Sequence, residues 1–189
     1  MSSVSPPVPP SRGPVDWSPA QNAEIQQILT RYPTKQAAVM SLLWMAQDRW
    51  DWLDFDVIRL VARTLELPPS QVQAVATFYT MFKKAPTGKY LLQVCHTLSC
   101  ALLGADRIVD QLERKLEVDA YGNSKDGLFT VMRVECLASC GSAPMMQVNE
   151  HFYERLTPAI VDQIIDGLRS GRQPPGLRPE VDQWTFPVS

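Results

Sequence analysis

The sequence predicts an α+β fold: a bundle of short helices, then a smaller sheet domain with helices packed on it. Two observations carry this. From Ser18 to about Lys84 the apolar residues recur at helical spacing and never alternate strictly. After the turn cluster Ala85-Pro86-Thr87-Gly88 the pattern changes to short strand-like runs and two helical stretches, in the order β-α-β-β-β-α. The 189 residues allow one large domain or two small ones at roughly 150 residues per domain. An apolar content of 45% and a charged content of 20% exclude a disordered chain and a coiled-coil rod.

In the first half, Ser18-Pro19 pairs a capping residue with proline at the first helical position, and a helix through Ile25, Ile28 and Leu29 stops near Tyr32-Pro33. A second helix begins at about Thr34, with Ala38, Leu42, Trp44, Met45 and Ala46 on its buried side. Trp50-Asp51-Trp52-Leu53 reads as a turn, and Asp54 caps a third helix bearing Val57, Ile58, Val61, Ala62 and Leu65. Leu67-Pro68-Pro69 breaks it. Ser70 is expected to cap a fourth helix through Val72, Val75 and Ala76, leading into Phe78, Tyr79 and Phe82. Packing of a small bundle accounts for Trp44, Trp50 and Trp52 without a ligand pocket.

In the second half, Lys89–Val94 is a strand, and residues 101–117 form one helix with Leu102, Leu103, Ile108, Val109, Leu112 and Leu116 on its apolar side. A loop containing Gly122-Asn123 and Asp126-Gly127 leads to a strand at Phe129–Val134. Met145–Val148, the turn Asn149-Glu150 and Phe152–Glu154 read as a hairpin. Thr157-Pro158 opens a last helix through Ile160, Val161, Ile164, Ile165 and Leu168, stopped near Gly171. The expected division is a flexible Pro-rich arm at 1–15, the helical bundle at 16–84, the sheet domain at 85–170 and a tail at 171–189. That tail sets Trp184 and Phe186 among prolines, as interface anchors or folded back on their own domain.

Eighteen basic residues against twenty acidic ones give a formal charge of −2, with no basic arm in either half. Nothing in that balance suits nucleic acid or an anionic membrane surface. No apolar stretch approaches the ~20 residues that span a bilayer, so no membrane insertion is expected. The first fourteen residues hold five prolines, one Arg and no apolar signal core, which fits neither a secretion signal nor a transit peptide. All four cysteines lie between residues 95 and 140, unlike the spread of a disulfide scaffold, and a reducing, cytoplasm-like compartment is expected.

Those cysteines form the constellation Cys95-His-Thr-Leu-Ser-Cys100, 35 intervening residues, then Cys136-Leu-Ala-Ser-Cys140. Each pair starts at the end of an expected strand and runs into a loop, so two loops at one sheet edge can present four sulfurs to one point. Gathered thiolates need a cation. A [2Fe–2S] cluster supplies it, with each iron made tetrahedral by two thiolates and two bridging sulfides. Zinc also takes four thiolates, but its structural sites favour closer pairs, and this spacing fits loosely. A thioredoxin-type redox pair needs C-x-x-C, which neither pair has. His96 is a possible iron ligand, yet a Rieske centre needs two histidines on one iron, and His151 sits at the hairpin turn. His96 is therefore read as solvated or as a neighbour of the site. Backbone N–H groups of residues 96–100 and 137–141 are the expected donors to sulfur, with Ser99, Ser139 and Ser142 as optional hydroxyl donors and Gly141 allowing close approach. No Gly-rich dinucleotide fingerprint follows any strand, and no complete catalytic constellation is visible.

The stretches Val75-Ala-Thr-Phe-Tyr-Thr-Met-Phe82, Val94-Cys-His-Thr-Leu-Ser-Cys100 and Val134-Glu-Cys-Leu-Ala-Ser-Cys-Gly-Ser-Ala-Pro-Met-Met-Gln-Val-Asn149 closely resemble the small [2Fe–2S] subunit of the NADH dehydrogenase of respiratory complex I. The likeness runs from about Pro19 to Gly171. It implies a thioredoxin-like C-terminal domain whose cluster is held by Cys95, Cys100, Cys136 and Cys140. It also implies an electron-transfer subunit of NADH:quinone oxidoreductase, with no active site of its own. FMN and NADH would sit on a partner subunit, whose flavin gives this cluster an electron, and the large iron–sulfur subunit is a further possible partner. The implied location is peripheral, on the cytoplasmic side of a bacterial inner membrane. The resemblance extends to the equivalent subunit of a soluble NAD-linked hydrogenase or formate dehydrogenase. A free-standing thioredoxin-like ferredoxin is the other alternative, which the helical half argues against. Thioredoxin-like folds place a cis-proline before the strand beside their active loops, so a cis Ala143–Pro144 bond is implied.

Overall fold

Helix punctuation in the first half translates directly into structure. A computed structural model of the chain describes residues 12–172, which divide at Pro86–Thr87 into two compact units. Residues 1–11 of the arm expected at 1–15, and the tail with Trp184 and Phe186, lie outside the described residues.

The first unit contains α1 (Pro19–Leu29), a 3₁₀ turn (Lys35–Ala38), α2 (Val39–Trp50), α3 (Phe55–Leu65) and α4 (Pro69–Phe78). Ser18 and Gln21 form a reciprocal capping box at the start of α1. The Asp54 carboxylate accepts the Val57 N–H at 2.8 Å and caps α3. Ile25, Leu42, Leu43, Ile58, Leu65 and Phe82 fill the core between the helices. Buried Gln47 takes the Lys83 N–H at 2.6 Å and donates to the Met81 carbonyl at 3.1 Å, which ties the segment after α4 to α2.

Three expectations need correction in this unit. Ser70 is not the cap of α4: Pro68 holds the cap position and the helix already starts at Pro69, where the lost N–H would have been unpaired anyway. Trp44 is 41% exposed rather than in the core, and its ring is tilted against Phe82 with centroids 5.5 Å apart. Arg12, placed in the arm by its sequence neighbourhood, pairs with Asp54 at 2.6 Å and lies over the Trp52 ring at 4.2 Å.

The second unit holds β1 (Tyr90–Cys95), α5 (Leu98–Leu102), α6 (Ala105–Leu116), β2 (Phe129–Val134), a 3₁₀ turn (Cys140–Ser142), β3 (Met146–Val148), β4 (His151–Tyr153) and α7 (Pro158–Arg169). The sheet order is β2-β1-β3-β4, with β1 parallel to β2 and the other pairs antiparallel. Leu92, Val94, Phe129 and Met146 of the sheet pack with Val109 and Leu112 of α6 and Ile165 of α7. Gly88 is the entry to this sheet: a Cβ there would meet the Phe129 backbone nitrogen at 2.6 Å, so only glycine fits.

The single helix expected at 101–117 is two. Gly104, at φ 92°, breaks it, and Leu102 and Leu103 come out at 78% and 59% exposure instead of joining the apolar side. The Ala143–Pro144 peptide is cis, as the resemblance implied.

Candidate metal centre

Parallel pairing of β1 with β2 places their C-terminal ends side by side, with Cys95 opposite Val134. The chain leaves both strands at the same sheet edge. The His96 N–H continues the ladder to the Val134 carbonyl at 3.1 Å, and the Cys95 N–H reaches the Met145 carbonyl at 3.3 Å. Three segments, 95–100, 134–140 and 143–146, are thereby held together where the cysteines lie.

Cys95 ends β1 and Cys100 lies in α5; both are 2% exposed. Cys136 sits two residues beyond β2 and Cys140 opens the 3₁₀ turn; both are exposed. The Cys136 and Cys140 sulfurs are 3.9 Å apart. Among the described residues no three His, Cys, Asp or Glu side chains group tightly enough to hold one metal ion; the thiols are arranged as two pairs.

Hydrogen-bond donors surround the sulfurs. The Ala138 N–H points at Cys136 Sγ from 3.3 Å, and Ala138 takes the left-handed conformation, φ 62°, that aims it there. Thr97 Oγ1 lies 3.1 Å from Cys95 Sγ. Thr97 occupies the N-cap position of α5 without capping it; its hydroxyl is turned to the sulfur. Burial would push the Cys95 thiol up, but the Thr97 hydroxyl and N–H, the Leu137 N–H and Cys100 together hold it below the ordinary thiol value. Burial pushes Cys100 up to about 11, reinforced by the hydrogen bond from Cys95 and the nearby Cys95 and Cys140 charges, and opposed by the Met145 N–H. The two pairs are brought to the same end of the sheet by the β1–β2 pairing and by the Cys95 N–H bond to the Met145 carbonyl.

Of the expected donors, the backbone of both loops is used. Two serines are not: Ser139 and Ser142 bond to each other at 2.9 Å, and Ser139 donates to Glu154. Gly141 has no left-handed φ, and protein atoms leave its Cβ position open; the special backbone position in this loop is Ala138. His96 is 3.6 Å from Glu135, with 40% of its side chain exposed. The Met145 N–H went unforeseen because it depends on chain segments meeting in space; the Thr97 hydroxyl, two residues from Cys95, was a local signal that the sequence reading passed over.

Four thiols in two pairs, each supplied with N–H or O–H donors, are the donor chemistry that a [2Fe–2S] cluster requires. The family model described as thioredoxin-like [2Fe-2S] ferredoxin matches residues 25–169. NADH-quinone oxidoreductase subunit 2 of Thermus thermophilus is 40% identical over 152 residues, covering 79% of this chain and 84% of that protein. A Rickettsia bellii relative, also named as a subunit of NADH-quinone oxidoreductase, is 40% identical over 148 residues, covering 77% of this chain and 89% of that protein. Among solved structures, the NAD+-reducing [NiFe]-hydrogenase in its air-oxidized state aligns with 76% of this chain and 24% of its own, at a TM-score of 0.60 and 21% identity. That likeness shows a shared fold. With more than half its length matched, and these relatives aligned along most of theirs, the chain belongs to the thioredoxin-like [2Fe–2S] ferredoxin family.

Proposed function

We propose that Cys95, Cys100, Cys136 and Cys140 hold the [2Fe–2S] cluster, and that the chain is the subunit of an NADH-quinone oxidoreductase that takes single electrons from the flavin of a partner subunit. The observation that carries this is the parallel pairing of β1 with β2, which sets Cys95 opposite Val134 and continues in the His96 N–H bond to the Val134 carbonyl at 3.1 Å, so that both cysteine segments leave the sheet at the same end. Relatives at 40% identity bear the NADH-quinone oxidoreductase name, which favours that complex over a hydrogenase or formate dehydrogenase.

Bound by these residues, a [2Fe–2S] cluster supplies a one-electron carrier. The protein's part is to hold and bias it. Cys95 and Cys100 are sealed from water, while Cys136 and Cys140 face the surface. Donors from Thr97, Leu137, Ala138 and Met145 offset the negative charge gathered on the sulfurs. Leu98, Leu102 and Leu103 of the α5 segment are exposed at 75%, 78% and 59% around Cys100. An apolar surface beside a redox site suits docking of the electron donor, since contact there shortens the transfer path and excludes water.

The flavin- and NADH-binding subunit is the partner that this face would meet. The large iron–sulfur subunit is the candidate acceptor. Residues 16–84 would clamp the flavin subunit, with Phe55 and Phe78 exposed on that unit. Among the described residues no helix is long and apolar enough to cross a membrane. A peripheral place on the cytoplasmic side of the complex belongs to the same proposal.

Removal of residues 1–84 tests the docking role. The remaining chain should keep its cluster and lose the flavin subunit in pull-downs; undiminished capture would show that the helical unit does not dock it. Co-purification from native membranes, with the bound subunits identified, tests the choice of complex.

A further inference from the structure

The segment after β4 lies against the second cysteine loop at three points. The Arg155 N–H donates to the Ser142 carbonyl at 2.7 Å, and the Leu156 N–H to the Pro144 carbonyl at 2.9 Å. Just before them, the Glu154 carboxylate accepts from the Ser139 hydroxyl. The Ser142 N–H closes the loop on the Ser139 carbonyl at 3.1 Å. Glu154 and Ser142 are buried, at 5% and 6% exposure. Taking a carboxylate out of water is costly unless hydrogen bonds compensate, and a neutral glutamine would offer Ser139 the same acceptor. An anion at this position therefore has a consequence beyond packing. Ser139 immediately precedes Cys140.

We propose that Glu154 is a positioning residue of the redox site: through Ser139 it fixes the Cys140 end of the second cysteine loop, and its buried negative charge keeps the reduction potential of the cluster low. This rests on the reading of Cys140 as a ligand. With the cluster bound, its one-electron reduction, by the partner's flavin or by dithionite in the test, would add one negative charge to the site. The added negative charge meets a fixed anion in a water-poor setting, so the reduced form is raised in free energy more than the oxidised form. The single Ser139 hydroxyl proton is committed to Glu154, which keeps it off the sulfurs.

The full 189-residue chain, with its cluster loaded, is compared as wild type, Glu154→Gln and Ser139→Ala. The reduced fraction is followed by electron paramagnetic resonance in a redox titration poised with dithionite and mediators, which gives the potential, and iron release to a chelator is timed separately. Glu154→Gln keeps shape and acceptor, so it should retain the cluster and shift the potential upward. Ser139→Ala keeps the charge but cuts the link, so iron should leave several-fold faster. An unshifted potential in Glu154→Gln, or wild-type iron release in Ser139→Ala, overturns the proposal. Should Glu154→Gln fail to fold, Glu154→Met, which removes the charge at similar length, takes its place, with the same upward shift expected and an unshifted potential overturning the proposal. Full cluster retention in Cys140→Ala would instead overturn the ligation reading, and this proposal with it.

Discussion

Thr97 Oγ1 lies 3.1 Å from Cys95 Sγ, and Thr97 leaves the helix it precedes without a side-chain cap. A serine or threonine at an N-cap ordinarily accepts a backbone N–H. Here the hydroxyl serves the sulfur. A hydroxyl donated to a thiolate stabilises the electron-rich reduced state of a cluster more than the oxidised state. Thr97→Val should therefore retain the cluster but lower its reduction potential, and Thr97→Ser should restore the wild-type value. Equal potentials in all three proteins would remove Thr97 from the account.

Exposure and burial separate the thiols in cluster-free protein. Cys136 and Cys140 are open to solvent, whereas Cys95 and Cys100 are 2% exposed. Alkylation should label Cys136 and Cys140 first, then Cys95, held below the ordinary thiol value by the donors around it, and Cys100 last. Cys100, raised to about 11 mainly by burial, binds its proton more tightly when folded than when unfolded. Its contribution to stability is complete below the ordinary thiol value of 9.0 and is lost as pH climbs from there towards 11. Peptide mapping of timed alkylation checks the order; labelling of Cys100 ahead of Cys136 would contradict it.

Asp54 joins two kinds of interaction in the helical unit. One carboxylate oxygen takes the Val57 N–H at 2.8 Å, and the other pairs with Arg12 at 2.6 Å while Arg12 covers Trp52. Asp54→Ala should cost about 1–2 kcal/mol for the cap alone, and more because Arg12 is left without its carboxylate. Asp54→Asn keeps a capping oxygen and should cost less. Denaturant unfolding followed by tryptophan fluorescence measures both; equal midpoints for wild type and Asp54→Ala would contradict the assignment.

Local signals made much of the fold legible. Ser18-Pro19, Asp54 and Thr157-Pro158 each announce a helix start through side-chain and backbone chemistry that acts within a few residues, and each is a helix start in the structure. The strands Tyr90–Cys95 and Phe129–Val134 follow from β-branched and apolar runs bounded by turn residues. The sheet then brings both cysteine pairs to one edge, as their strand-end positions implied. Some of what escaped the sequence was a local signal masked by its neighbours, and some depends on distant partners. Gly104 inside an otherwise helical pattern was the available signal for the break before α6, but the apolar Leu102 and Leu103 masked it by fitting the helical period. Ser139 and Ser142 neighbour Cys140 in sequence, yet Glu154, which arrives from the hairpin, takes the Ser139 hydroxyl. Trp44 fits the buried stripe by spacing but comes to rest half-exposed, tilted against the Phe82 ring.

The central claim is that these two cysteine pairs hold one [2Fe–2S] cluster, and its most direct measurement is metal and sulfide content joined to electron paramagnetic resonance on anaerobically prepared protein. The account predicts two irons and two acid-labile sulfides per chain and an S = ½ signal after dithionite reduction. It also predicts that Cys100→Ala or Cys136→Ala abolishes or severely impairs assembly, while His96→Ala retains a normal cluster. Stoichiometric zinc without sulfide, in protein produced with ample iron, would contradict it.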